Sequence, residues 1–222
     1  MTVILRLNKW FITNDKSPGF NVLLVCALNE AKGMIKNMKD NNFKHDFYRW
    51  YGKTDRNLKE YIFQPIQLKY MFYFRKYKKS KGIKKVFYKI KLNHLSQKTS
   101  IDIPLSAEIG RGFYIMHLGG IVVNGDCKIG EYVNINSGAV LGGEIRGKRA
   151  GAPQIGNYCY IGKNAIVVGN VKIGDDVLIA PGAYVNFNVP AHSIVLGNPG
   201  KIIHKEHATE GYIYNILNED KY

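Results

Sequence analysis

Cysteine is scarce in this sequence: three in 222 residues, Cys26, Cys127 and Cys159. So small and odd a set excludes a disulfide-stapled scaffold and a four-ligand zinc site, and it fits a reducing, cytoplasmic compartment. Long apolar runs are lacking too. The longest near the start, Val22 to Leu28, is far too short to span a bilayer. The opening MTVILRLNKWF has neither the apolar core nor the small-residue cleavage site of a secretion signal. Acidic residues are few, 17 against 32 lysines and arginines, so the net charge is +15. That imbalance points to an anionic partner: nucleic acid, an acidic membrane face, an anionic polymer or a phosphorylated cofactor. The hydrophobic fraction of 45% is ordinary, which excludes a mostly disordered chain.

What is present is a repeat. From Ile155 a branched aliphatic residue returns every sixth position, at Ile161, Val167, Ile173, Ile179 and Val185. Small residues fall four positions after the aliphatic ones, as at Cys159, Ala165 and Ala183, and glycine or alanine often follows them directly. The same spacing holds from Ile103 to Ile121, slips by two residues, and restarts at Val123, Ile129, Ile135 and Leu141. A period of six fits neither a helix nor a simple alternating strand. It predicts an all-β solenoid, a parallel β-helix of hexapeptide repeats whose aliphatic residues point inward. Cys127 and Cys159 fall on the small inward position and read as core fillers, not nucleophiles. The polar insertion GGEIRGKRAGAPQ, residues 142–154, breaks the period and reads as a loop projecting from one corner.

Residues 1–98 read as mostly helical. From Val22 to Asp40, Leu24, Leu28, Ala31, Ile35 and Met38 recur at helical steps. Residues 69–91 hold ten Lys or Arg and no acidic residue, interleaved with Tyr70, Phe72, Tyr73, Phe74, Tyr77, Phe87 and Tyr88. Three readings of that stretch stand together: peripheral contact with an anionic membrane, nucleic-acid binding, and aromatics packed on the solenoid beneath solvated lysines. No recognisable nucleic-acid motif accompanies it. The solenoid is expected over residues 99–204, and the tail, 205–222, is expected to form a short peripheral helix.

The segment IDIPLSAEIGRGFYIMHLGGIVV, Ile101 to Val123, resembles the start of the catalytic solenoid of the serine O-acetyltransferases. The resemblance continues through LGGEIRGKRAGAPQIG to VPAHSIVLGNPGKII. It implies a left-handed β-helix acyltransferase, a homotrimer, and acetyl-CoA bound between neighbouring prisms with no metal. The family's general base matches His117, and its orienting aspartate matches Asp102, fifteen residues earlier. A carboxylate bonded to one imidazole nitrogen fixes the tautomer and leaves the other nitrogen free to take a proton. The resemblance implies acetyl-CoA contacts at Gly142, Gly143, Lys163, Ala180, Asn186, Lys201 and His204. His192 follows a Val-Pro-Ala turn and reads as structural.

Two departures bear on the acceptor. Where the family has an aspartate before the catalytic histidine, this chain has Met116. Where its loop carries Arg-His-Pro, this chain reads Gly151-Ala152-Pro153. Neutral residues do not pair the charges of a zwitterion, and unpaired charges in a site are costly. The pattern therefore looks like the capsule and O-antigen enzymes of polysaccharide biosynthesis, with a saccharide hydroxyl as acceptor, anionic or lipid-linked saccharides included. The alternative is serine O-acetylation. Two other classes compete: a zinc hydratase on a similar solenoid, for which no paired-histidine spacing occurs at the middle coils, and a non-catalytic membrane scaffold.

Overall fold

The computed structural model describes residues 41–55, 60 and 63–218. The helix expected over 22–40, and Cys26, lie outside them. The chain divides into two units, Met1–Lys39 with Arg56–Phe63, and Asp40–Asp55 with Gln64–Tyr222. The solenoid and the three helices before it belong to the second unit.

Every hexad aliphatic from Ile103 to Val185 is buried, and each contributes roughly 1.5–3 kcal/mol by leaving water. They line a prism of three parallel sheets. Sheet 1 holds β1 (Ile101–Asp102), β4 (Ile121–Val123), β7 (Val140–Gly142), β10 (Ile166–Val168) and β13 (Tyr184–Val185). Sheet 2 holds β2 (Glu108–Ile109), β5 (Lys128–Ile129), β8 (Gln154–Ile155) and β11 (Lys172–Ile173). Sheet 3 holds β3 (Tyr114–Ile115), β6 (Asn134–Ile135), β9 (Tyr160–Ile161), β12 (Val177–Ile179) and β14 (Ser193–Leu196). The hairpin strand β15 (Lys201–His204) closes sheet 3 antiparallel to β14. Like residues stack on like from coil to coil: Ile109 on Ile129, Ile129 on Ile155, Ile155 on Ile173. The glycine after the aliphatic residue is demanded by that stacking. A Cβ on Gly130 would lie 2.6 Å from the carbonyl oxygen of Gly156 in the next coil.

The three outer faces differ. Sheet 2 presents Glu108, Lys128, Gln154 and Lys172 to water, the polar alternation of a solvated sheet. Sheet 1 presents Val122, Val140, Ile166 and Tyr184, an apolar column that solvent still partly reaches. Sheet 3 is covered. Asn134 donates to the Tyr212 carbonyl at 2.9 Å, Tyr214 meets Tyr114, and Tyr160 packs on Tyr212.

The covering segment corrects the expected C-terminal helix. Residues 205–218 form turns and extended chain. His207, Gly211 and Asn215 take positive φ, which interrupts a right-handed helix at four-residue intervals. Their neighbours' backbone groups bond instead to the prism: Ala208 and Thr209 to Asp176, and the Leu217 carbonyl to the Tyr132 hydroxyl.

Among the described residues three helices stand before the prism: α1 (Asn41–Tyr51), α2 (Ile66–Lys79) and α3 (Gly82–Thr99). A buried ion pair fixes α2 to α1, Arg75 Nε to Asp46 at 2.8 Å. Arg75 also donates to the carbonyls of Ile109 and Gly110, and Asp46 accepts from the Phe113 N–H, so the pair also rivets both helices to the first coil. Arg49 donates to Asn134 at 2.7 Å and lies over the rings of Tyr114 and Tyr214. The basic aromatic stretch splits. Tyr70, Phe72, Tyr73 and Phe74 on α2 are buried, so packing is the correct reading there. On α3, Phe87 remains exposed.

Candidate functional site

The two-residue slip in the repeat lengthens one corner. Between Ile115 on sheet 3 and Val123 on sheet 1 the chain takes eight residues instead of six, turning through Gly119 (φ 105°) and Gly120 (φ 64°). His117 and Leu118 therefore stand exposed on a protruding corner. Asp102 is exposed on the outer face of β1, the strand beside the β4 that this corner enters. No hydrogen bond joins Asp102 to His117 within the single chain, so the sequence-expected pair is near in topology but not closed.

The corners below His117 stack into one edge of the prism. Gly138 donates to the Gly119 carbonyl, Asn164 to Ser137, and Gly182 to Lys163, each at 2.8–3.0 Å. Lys163 and Ala180 thus share the edge with His117. Lys201 follows, paired with Leu196 at the end of β14 that leads toward this edge. His204 lies at the other end of β15, opposite Ser193 and 3.4 Å from Glu206, away from the others.

Gly142, Gly143 and Asn186 sit on a different edge, between sheets 1 and 2, where the extruded loop leaves. Glu144 and Gly151 close that loop at its base with two hydrogen bonds of 2.9 Å. Its tip is exposed, with Ile145 98% accessible. The two glycines differ in what requires them. A Cβ on Gly143 would meet the Asn124 amide at 2.5 Å, whereas one on Gly142 meets only ordinary contacts at 3.6 Å or more. Nothing within the chain demands glycine at 142. The expected donor contacts accordingly divide between two edges that flank the apolar outer face of sheet 1.

Met116 turns toward the covered face, where its sulfur takes a weak hydrogen bond from Asn136 Nδ2 at 3.3 Å. Asn136 is buried and also meets the Tyr160 hydroxyl at 2.9 Å. Ala152 is buried at the loop base. Met116, Asn136 and Tyr160 thus form a neutral cluster on the covered face: thioether, amide and phenol. Sequence reading missed Asn136 and Tyr160, because an asparagine after an inward isoleucine carries no signal of burial.

The cysteines behave as core. Cys127 and Cys159 are buried and unpaired. Burial pushes their thiols up, to about 11 and about 12, so neither is a thiolate at neutral pH. Among the described residues no cluster of His, Cys, Asp and Glu is placed to hold a metal ion, and no helix is long and apolar enough to cross a membrane. His192 bonds to Asp176 at 2.9 Å, a structural contact.

Residues 152–186 match the family described as bacterial transferase hexapeptide, six repeats. Serine acetyltransferase 4 of Arabidopsis thaliana is 39% identical over 113 residues, 50% of this chain and 31% of that protein. The serine acetyltransferase of Staphylococcus aureus strain Mu50 is 38% identical over 119 residues, 53% of this chain and 55% of its own. The chain therefore spans between about a third and about half of the curated relatives it matches. Among solved structures, the Brucella abortus serine acetyltransferase in complex with coenzyme A superposes with a TM-score of 0.65 at 23% identity, covering 79% of this chain and 72% of that one. The soybean serine acetyltransferase apoenzyme gives 0.52 at 27% identity, covering 66% and 58%. The fold is theirs. This is a left-handed hexapeptide-repeat β-helix, an exception to the right-handed crossover rule.

Proposed function

We propose that this chain is an acetyl-CoA-dependent O-acetyltransferase and works as a homotrimer in the cytoplasm. The observation that carries the reading is the protruding His117 corner, in line with Lys163 and Ala180 on an edge that borders the apolar face of sheet 1. A second copy packed on that face would set its Gly142, Gly143 and Asn186 edge against the first copy's His117 edge and complete the donor groove. His117 takes the proton of the acceptor hydroxyl as the oxygen attacks the thioester carbonyl. The C–S bond then breaks and the imidazolium returns the proton to the leaving sulfur, so no acyl-enzyme forms. Asp102 supports the imidazolium. Lys201, a flexible cation, suits the donor's phosphates, and backbone N–H groups near Gly142 and Gly143 face the developing oxyanion. His204, set apart from the edge, is the weakest member of the donor set.

The comparisons favour L-serine over a saccharide as the acceptor. The two curated relatives and the coenzyme A complex are all serine acetyltransferases, and polysaccharide biosynthesis finds no support among them. The saccharide reading keeps one observation in its favour, the neutral Met116 directly before His117. Release of free CoA thiol from acetyl-CoA, measured with L-serine and with neutral and acidic sugars, separates the two. Serine-dependent turnover at roughly 1–10³ per second is the expected result, and turnover with sugars alone reverses it. Light scattering is expected to give three chain masses; an active monomer would refute the shared site.

A further inference from the structure

The first half of α3 carries its apolar residues on the wrong side. Its core-facing residues are Leu92, Leu95 and Thr99, all buried. Ile83, Val86, Phe87 and Ile90 are 86%, 57%, 42% and 63% exposed. At about 100° per residue these four fall in one sector nearly opposite the core-facing one. Their spacing, i, i+3, i+4, i+7, is that of a buried helix stripe, yet this stripe points into solvent. Lys84 and Lys91 border it on one side and Lys89 on the other, while Lys85 turns toward α2, its Nζ 4.9 Å from the centre of the Tyr77 ring. Beyond Ile90 the outward sector turns polar at His94 and Gln97, so the patch ends after two turns.

The charge around the patch is of one sign. From Tyr61 to Ile101 the sequence has no acidic residue. The first turn of α3 has no carboxylate, and Lys81, Lys84 and Lys85 crowd the helix end where the backbone dipole disfavours cations. Local stability does not explain that choice. An anionic surface does, because it neutralises the lysines while the apolar stripe leaves water.

We infer that the Ile83–Val86–Phe87–Ile90 stripe, bordered by Lys84, Lys89 and Lys91, docks the protein in-plane on an anionic phospholipid bilayer. A second copy of the same face would oppose six lysines to one another without a carboxylate between them. A nucleic acid would use the lysines and Phe87 but offers nothing to three branched aliphatic side chains. A bilayer takes both: apolar side chains enter the acyl boundary while flanking lysines reach the headgroups. This inference is independent of the acetyl-transfer reading.

The test is flotation of the full-length protein with vesicles of phosphatidylcholine alone, or with about one third phosphatidylglycerol, at physiological salt. Binding to the anionic vesicles and not to the neutral ones is expected. Lys84→Glu with Lys89→Glu and Lys91→Glu should weaken it by roughly a hundredfold or more, each surface lysine contributing a severalfold factor. Ile83→Ser with Phe87→Ser and Ile90→Ser should weaken it by tenfold or more with an unchanged melting temperature, since these side chains touch little of the core. Val86→Trp, which adds a residue suited to the membrane interface, should strengthen it and guards against a variant that fails to fold. Equal binding to neutral vesicles, wild-type binding by the serine variant, tighter binding to single-stranded DNA than to vesicles, or a smaller assembly in the serine variant would each overturn the inference.

Discussion

Asp176 and Thr209 are joined twice: one carboxylate oxygen of Asp176 accepts the Thr209 backbone N–H at 2.9 Å and its hydroxyl at 2.7 Å. The other oxygen accepts from the Ala208 N–H at 3.0 Å and meets His192 at 2.9 Å. A single carboxylate at a prism corner thus holds the tail that covers sheet 3. Partial burial raises its pKa, but the hydrogen bonds from Thr209, His192 and Ala208 outweigh that and hold it below the usual carboxylate value.

These two groups give opposite pH dependences. A depressed carboxylate stabilises the fold above its unfolded pKa, near 4, and that contribution is lost as pH falls through the lower folded value. His192 works the other way. Its hydrogen bond to Asp176 raises its pKa, so its contribution is complete below the unfolded value near 6.5 and fades as pH rises through the folded one. Asp176→Asn should cost about 1–3 kcal/mol at pH 7. Hydrogen exchange should show residues 205–217 opening first, and the gap between variant and wild type should narrow as pH falls below about 4.

The Asp46–Arg75 pair is buried on both sides, at 0% and 5% side-chain exposure. Removing one partner leaves the other charge uncompensated and should cost about 3–5 kcal/mol. Asp46→Ala is therefore expected to lower the midpoint of urea unfolding markedly. Replacing both residues with apolar ones of similar size should recover only part of the loss, because the Phe113 N–H and the Ile109 and Gly110 carbonyls lose these bonds. A single variant as stable as wild type would contradict the rivet.

His117→Ala should lower turnover by roughly 10²–10⁴-fold with little change in acetyl-CoA affinity. Asp102→Asn should give a smaller loss, because it removes only a charge that supports an imidazolium and leaves the base itself in place. Lys201→Ala should raise the KM for acetyl-CoA and leave kcat nearly intact. Melting curves and light scattering on each variant separate chemistry from folding. A folded His117→Ala trimer with near-normal turnover would end the mechanism.

Met116→Asp tests the acceptor. If L-serine is the acceptor, a carboxylate in the position before His117 supplies a charge that Met116 lacks. The KM for serine should then fall by about tenfold or more, as a hydrogen bond to a charged group is worth roughly 1.5–3 kcal/mol. An unchanged serine KM, with loss of activity toward a sugar, would favour the saccharide.

The sequence by itself determined the prism. An inward position repeats every six residues only if the chain turns a corner every six, so the aliphatic register named the core from Ile103 to Val185 and the inert burial of Cys127 and Cys159. The same register marked the two places where the path departs, the lengthened His117 corner and the loop after Gly142, because a solenoid expels what does not fit its period. What surrounds the prism had no period to read. The tail from His207 to Leu217 carries residues that a helix would accept, and its path was decided by Asp176, Asn134 and Tyr132, groups 33 to 85 residues away. The fates of Tyr70 and Phe87 differ though they lie in one basic aromatic stretch, since burial depends on which side of a helix meets another element. Periodicity reports neighbours along the chain. The covering of sheet 3, the ion pair beneath the helices and the outward stripe of α3 depend on contacts between distant segments, and only the tertiary structure brings those together.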